Sequence, residues 1–232
     1  MRRITKTHPP QEFTAWRDAN QEFNHTYRDL LGTQAHEALK SKLLEEQGWL
    51  CAYTGRSIDS DSSHVEHIKP QCECSEWEDI EYRNVVACFP ADGGDTSHGY
   101  GAPIKASWWD EQRFVSPLSA ECERRFRFVW SGHVHPSPDD HDGATATIAA
   151  LRLDADPLRQ LRKARIDGFF GFGSRSRTRP LTIADARAAL ANIERRDNHG
   201  RLREFCFVLK QLLPKYIEQA REPLIYRAPC WR

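Results

Sequence analysis

Apolar residues recur at near-helical spacing over residues 11–31, where Phe13, Trp16, Phe23, Tyr27, Leu30 and Leu31 mark a helical segment. Gly32 ends that pattern, and Thr33 or Gln34 opens a second helix with Ala35, Leu39, Leu43 and Leu44 on one face. The aromatics of both stretches read as core packing. From residue 50 the period changes to short apolar runs between turns, and Gly and Asp crowd residues 91–101, which therefore read as loop. Residues 111–136 read as β: Phe126, Phe128 and Trp130 alternate with Arg125 and Arg127, the pattern of a half-buried strand with its arginines outward. The last third is helical again. Residues 145–153 form one helix, and Asp156-Pro157-Leu158 has the form of an N-cap followed by proline at the first helical position. Further helices run from Thr182 or Asp185 to Arg196 and from Leu202 to Ala220. The fold class expected is α+β: a helical segment over 1–49, a candidate catalytic module over 50–110, and a mostly helical region over 111–232 with a short β segment near 123–135.

Composition narrows the function classes. No apolar run among the 232 residues approaches the ~18 that a membrane helix needs, and the first ten residues lack the apolar core of a signal peptide, so no membrane association and a cytoplasmic location are expected. Lys plus Arg and Asp plus Glu both total 33, a zero formal charge that argues against holding nucleic acid by bulk electrostatics alone. A local basic groove, or a partner that supplies charge, is required. Seven cysteines in a reducing compartment are expected as free thiols.

The chemistry concentrates in Cys51-Ala52-Tyr53-Thr54-Gly55 and His64-Val65-Glu66-His67-Ile68-Lys69-Pro70. Glu66 and His67 sit side by side in an extended segment, and neighbours on a strand point to opposite faces, so the pair shares a site only where the strand ends or twists. Pro70 fits a strand that breaks there. A carboxylate for a hard cation and a neutral imidazole for a water proton are what metal-assisted phosphodiester hydrolysis needs. His64 shares a strand face with Glu66, either joining the site or lying as a satisfied surface histidine. Arg175, Arg177 and Arg179 among Ser, Gly and Thr form a basic loop able to touch phosphates, and Lys69 is a further candidate contact to nucleic acid.

The order of these pieces resembles the HNH nucleases, whose core is a β-hairpin and helix around one metal ion, the ββα-metal fold. The resemblance extends to the HNH endonuclease subunit of Septu-type and retron-associated anti-phage systems, the PtuB-like proteins. It is carried by Met1-Arg2-Arg3-Ile4 with Pro10 and Trp16, Glu46-Gln47-Gly48-Trp49-Leu50-Cys51-Ala52-Tyr53, Val65-Glu66-His67-Ile68-Lys69-Pro70, Tyr82-Arg83-Asn84-Val85-Val86, Phe126-Arg127-Phe128, and Leu151, Leu153, Leu158 and Arg165. These pieces run from residue 1 to about 165.

The resemblance implies that His67 is the general base, Glu66 a metal ligand, and Asn84 the residue that ties down the catalytic loop. It implies Mg²⁺, or Mn²⁺ in its place. The usual ending of the motif is replaced here by residues 92–105, which puts Ala102 where the last ligand belongs; that role passes to His98, with Asp95 second, and Lys105 contacts the scissile phosphate. Many relatives hold a structural zinc between two Cys-x-x-Cys knuckles. Here Thr54 replaces one cysteine, Cys88-Phe89-Pro90-Ala91 is broken, and Cys72-Glu73-Cys74 is too tightly spaced, so structural zinc is not expected and Cys51 and Cys88 read as small buried residues. The implied partners are an ABC/SMC-like ATPase subunit, a DNA or RNA target and, in the retron-associated branch, a reverse transcriptase with its DNA/RNA product. The alternative is an HNH-like module without catalysis that binds nucleic acid or serves assembly.

Overall fold

Four of the helix starts are set by caps rather than by apolar content. The computed structural model describes residues 1–20, 25–172 and 180–220. Helix α1 (Gln11–Ala19) follows Pro10 and stops at Asn20, whose N–H returns to the Arg17 carbonyl. Helix α2 (Tyr27–Leu30) begins anew at Thr26, whose N–H donates to Asp29 Oδ2 at 2.8 Å. The run expected over 11–31 is thus two helices, each with its own end; Phe23 lies outside the described residues. In α3 (Gln34–Gln47) Thr33 Oγ1 accepts the His36 N–H, and Ala35, Leu39, Leu43 and Leu44 are buried. Gly48 closes α3 in the left-handed conformation at φ 65°, and a Cβ there would meet the Leu202 side chain at 2.5 Å.

Strands β1 (His64–His67) and β2 (Val85–Cys88) pair antiparallel, with His64 opposite Cys88 and His67 opposite Val85. Helix α4 (Ala102–Lys105) is a single turn that starts at Gly101, whose N–H donates to the Leu151 carbonyl at 2.8 Å. The β segment of the third region is a short hairpin of β3 (Phe126–Phe128) and β4 (Val134–Pro136). Phe126 and Phe128 are buried, while Arg127 faces out to Asp139 at 2.6 Å. Trp130 lies in the connecting turn and not in the strand, because Gly132 N–H returns to the Val129 carbonyl and folds the chain there.

Helix α5 (Asp142–Ala150) starts earlier than the sequence suggests, because His141 acts as its cap, with Nδ1 accepting the Ala144 N–H at 3.0 Å. In α6 (Asp156–Phe170) the cap position is Ala155, so Asp156 is the first helical residue instead of the cap. Helix α7 (Ile183–Asn192) opens at Thr182, the earlier of the two expected starts, with Oγ1 accepting the Asp185 N–H at 3.1 Å, but ends before Arg196. The Arg196 guanidinium instead donates to the Glu45 and Glu46 carbonyls at 2.6 and 3.0 Å, satisfying the end of α3. Helix α8 (Cys206–Gln219) begins after residue 205, since Leu202 and Phe205 give their N–H groups to Gly48 and Gly55 carbonyls at 2.9 and 3.1 Å.

The architecture is α+β, with two two-stranded antiparallel sheets among the described residues. One hydrophobic cluster takes residues from all three sequence regions, from Met1 and Phe13 through Tyr53, Val86 and Phe128 to Leu209 and Ile217. No described helix is long and apolar enough to cross a membrane. A buried glutamine joins α3 to β2: Gln47 Oε1 accepts the Ala87 N–H at 2.8 Å, and its Nε2 donates to the Leu50 and Ala87 carbonyls, both at 2.8 Å. Every polar atom of that side chain is matched, as a buried amide requires.

Lys6 enters the same interior beside Glu46, Nζ to Oε2 3.8 Å, with side chains 2% and 4% exposed. It stands 4.1 Å from the centroid of the Tyr82 ring. Burial drags its ammonium down to about 7, with Glu46 pulling upward and Arg83 pushing downward. The unfolded chain keeps the ordinary value of 10.5, so between the two values it binds more protons than the folded one, and stability rises with pH across that window. The cost is full below the lowered value and gone above the ordinary one. The melting temperature is therefore expected to climb between pH ~7 and ~10 more steeply in wild type than in Lys6→Met. Parallel curves for the two proteins would show that Lys6 is hydrated in the fold.

Candidate functional site

β1 alternates half-buried and buried positions, with His64 and Glu66 on one face and Val65 and His67 on the other. His67 is the last residue of the strand, and one more ladder bond follows it, from the Ile68 N–H to the Asn84 carbonyl at 2.8 Å. Lys105, at the end of α4, links the adjacent pair: its Nζ donates to Glu66 Oε1 at 3.0 Å and to the His67 carbonyl at 2.9 Å. The Lys105 side chain is 1% exposed, so its ammonium faces the strand end and not solvent. In this arrangement the ammonium is taken by Glu66 and the strand-end carbonyl, where the sequence led us to expect a phosphate contact.

The His67 imidazole is fixed on three sides. Nε2 donates to the Asp79 carbonyl at 2.8 Å, which leaves Nδ1 as the acceptor nitrogen, and the Gln71 side-chain amide stands 3.3 Å from Nδ1. The Tyr27 ring packs edge-on at 4.6 Å between centroids. Tyr27 is itself held, its N–H on Asp79 Oδ2 at 2.7 Å and its hydroxyl on His36 Nε2 at 2.9 Å. Burial lowers the imidazole below its ordinary value, against the opposing pull of the Asp79 carbonyl and the Glu66 charge, so the neutral ring is favoured.

Asn84 closes the loop between the strands. Its Oδ1 accepts the Lys69 N–H at 2.8 Å, and its Nδ2 donates to the Lys69 carbonyl, the Glu78 carbonyl and Cys74 Sγ at 3.1, 3.1 and 3.3 Å. One side chain thus spans the loop that carries Gln71 and Asp79. The Lys69 ammonium is paired with Glu78 Oε2 at 2.6 Å.

On the other strand face His64 Nδ1 donates to the Pro90 carbonyl at 2.5 Å, and Nε2 points to Glu66 Oε2 at 3.5 Å. With its proton on Nδ1, the ring turns a lone pair toward a carboxylate, so a proton or a cation belongs between them. Burial pulls His64 down, but the bonds to Glu66 and Pro90 and the charges of Glu66 and Asp92 outweigh it, and the net shift is upward. Tyr53 completes the surroundings of Glu66, its hydroxyl 3.5 Å from Oε1.

His98 and Asp95 form a separate turn. His98 sets Nδ1 against the Asp95 carbonyl and Nε2 against the Tyr100 carbonyl, both at 3.0 Å, and a ring with one N–H donates to one of these two acceptors at a time. The Asp95 carboxylate accepts the Ser97 N–H and hydroxyl, both at 2.8 Å. No hydrogen bond or ion pair joins either residue to Glu66 or His67 among the described residues. Arg175, Arg177 and Arg179 lie outside the described residues. Cys51 and Cys88 are 2% and 0% exposed, and Cys51 Sγ accepts the Phe89 N–H at 3.4 Å.

Sequence reasoning passed over Tyr27, Gln71 and Asp79. Asp79 acts through its carbonyl, which no residue type announces, and Tyr27 is indistinguishable by pattern from other core aromatics. Gln71, directly after Pro70, was the one with a local signal: a polar side chain on a turn that starts four residues past the imidazole. No protein-family model matches this chain, and no curated protein matches it either.

Proposed function

We propose that the chain is a metal-dependent endonuclease of the HNH kind, the effector subunit of an anti-phage complex with an ABC/SMC-like ATPase. The observation that carries this reading is the His67 imidazole at the end of β1, its Nε2–H committed to the Asp79 carbonyl and its charged form disfavoured by burial, next in the chain to Glu66. The succession of β1, β2 and the short α4, with Asn84 tying the loop between the strands, supports it. The ATPase, and in the retron-associated branch a reverse transcriptase with its DNA/RNA product, rest on the sequence resemblance and on a near-neutral chain that needs charge supplied from elsewhere.

The donor set suits Mg²⁺ or Mn²⁺ in a restricted sense. Glu66 Oε2 and His64 Nε2 supply one carboxylate oxygen and one imidazole nitrogen, and such ions take their remaining ligands from water and substrate phosphate. Among the described residues no group of three His, Cys, Asp or Glu side chains gathers around one point. When bound, the ion polarises the phosphate and stabilises the leaving oxygen. The residues themselves do the rest. His67 Nδ1 takes the proton of a water whose oxygen attacks phosphorus, and the Asp79 carbonyl holds the ring in the required tautomer. Asn84 keeps the loop that carries this carbonyl in place, and Lys105 fixes Glu66 and the strand end together.

A second reading, a docking or assembly module without catalysis, is favoured by the Lys105 ammonium on Glu66 Oε1, which gives the carboxylate a partner of its own. The two separate on one experiment. Plasmid DNA and total cellular RNA are incubated with the chain, alone and with the ATPase subunit, in Mg²⁺, in Mn²⁺ and in chelator. Cutting that needs the metal is the expected result and identifies the substrate class. Intact nucleic acid in every mixture would favour the module.

A further inference from the structure

The acceptor nitrogen of His67 is not open. Gln71 Nε2 stands 3.3 Å from Nδ1, and Nε2 of the ring is already given to Asp79. An imidazole nitrogen has one in-plane lone pair, so the Gln71 amide and an attacking water cannot both donate to it. One must leave before the other arrives.

The geometry makes Gln71 the one that moves. Its backbone is held by Pro70 and a short 3₁₀ turn, with Glu73 N–H on the Pro70 carbonyl at 2.9 Å and Cys74 N–H on the Gln71 carbonyl at 3.2 Å. Its side chain is exposed, and the bond to His67 is its one side-chain hydrogen bond among the described residues. A fixed post thus carries a free arm. The resting bond is long, and an ordinary bond of this type contributes only about 0.5–1.5 kcal/mol. A phosphodiester oxygen carries charge and is the stronger acceptor for the same amide.

We propose that Gln71 is a switchable phosphate contact of the site: its amide covers His67 Nδ1 in the substrate-free protein and turns onto a non-bridging phosphate oxygen when a phosphodiester binds, leaving Nδ1 to water. This rests on the phosphodiesterase reading given above. No bond to Gln71 forms or breaks covalently; it exchanges one hydrogen-bond acceptor for another. The same move would align the phosphate with the water that the histidine deprotonates.

Two measurements test it. Single-turnover cutting of whichever nucleic acid the wild type cleaves is compared across wild type, Gln71→Ala and Gln71→Glu. Gln71→Ala is expected to lower the ratio of maximal rate to half-saturating concentration about 10–100-fold, the value of a hydrogen bond to a charged group. Gln71→Glu loses more, since it cannot donate and repels phosphate. Independently of any cutting, ¹⁵N NMR of the His67 ring should show the Nδ1 signal move in Gln71→Ala while Nε2 stays in place. Gln71→Ala cutting as fast as wild type or faster overturns the proposal, as does an unchanged Nδ1 signal. If the wild type cuts nothing, the nuclease reading falls and this inference with it; a cutting wild type with an unimpaired Gln71→Ala overturns the inference alone.

Discussion

His67→Gln is expected to abolish cutting while leaving the chain folded. Loss of a positioned general base costs about 10²–10⁴-fold in rate. Glutamine is the informative substitution, because its amide can still donate to the Asp79 carbonyl that now holds Nε2, and it still presents a flat group to the Tyr27 ring. The local hydrogen bonding is kept and the proton acceptor is removed. The check is a single-turnover rate on the cleaved substrate beside a thermal melt of each protein. A variant that cuts within about threefold of wild type would remove His67 from the chemistry. A variant that melts far below wild type would instead assign the loss to structure, and the alanine variant would then be worse still, since it leaves the Asp79 carbonyl without its donor.

The largest effect on stability is expected at Lys105. Its ammonium is buried between Glu66 Oε1 and the His67 carbonyl, so Lys105→Met leaves a carboxylate facing its own lost partner and a carbonyl without a donor. Breaking a buried pair from one side typically destabilises by about 3–5 kcal/mol, and the 16% exposure of the Glu66 side chain puts this case near the lower end. For a chain of this length that corresponds to a fall of roughly 6–12 °C in melting temperature. Lys105→Met with Glu66→Gln removes both charges and should recover part of the loss. Denaturant melts of the two single variants and the double variant supply the comparison. A loss below about 1 kcal/mol in Lys105→Met would mean that water already reaches the pair.

The elements most legible in the sequence were those fixed by local chemistry. The openings read at Thr33 or Gln34 and at Thr182 or Asp185 fall at the threonines, which cap α3 and α7, and the buried face of α3 follows from its spacing. The strand at Phe126 and Phe128 follows from alternation, whereas its hairpin partner Val134–Pro136 does not. What escaped was set by distant partners. The start of α8 is delayed because Leu202 and Phe205 bond to Gly48 and Gly55, more than a hundred residues earlier in the chain. At the site, Glu66, His67 and Asn84 could be picked out by type and order, and Asn84 bonds the Lys69 N–H and carbonyl. Counting along residues 92–105 could not find a partner for Glu66, because the turn folds on itself and sets the His98 ring against its own Asp95 and Tyr100 carbonyls. Lys105 was expected to contact a phosphate, and its buried ammonium meets Glu66, a neighbour invisible in the linear order.

Tyr27 gives the arrangement a bearing on inheritance. The imidazole is walled by a residue that lies well before the stretch 50–110, and β2 is clasped by Gln47 from the same side. A cassette excised at residues 50 and 110 would carry the carboxylate, the imidazole and the asparagine, and would lack their wall and their clasp. The stretch is therefore poorly portable: grafted onto another protein, it would need a host that rebuilds a tyrosine and a glutamine at matching places. Recombination that keeps this arrangement intact is expected to carry α2 and α3 along with the stretch 50–110.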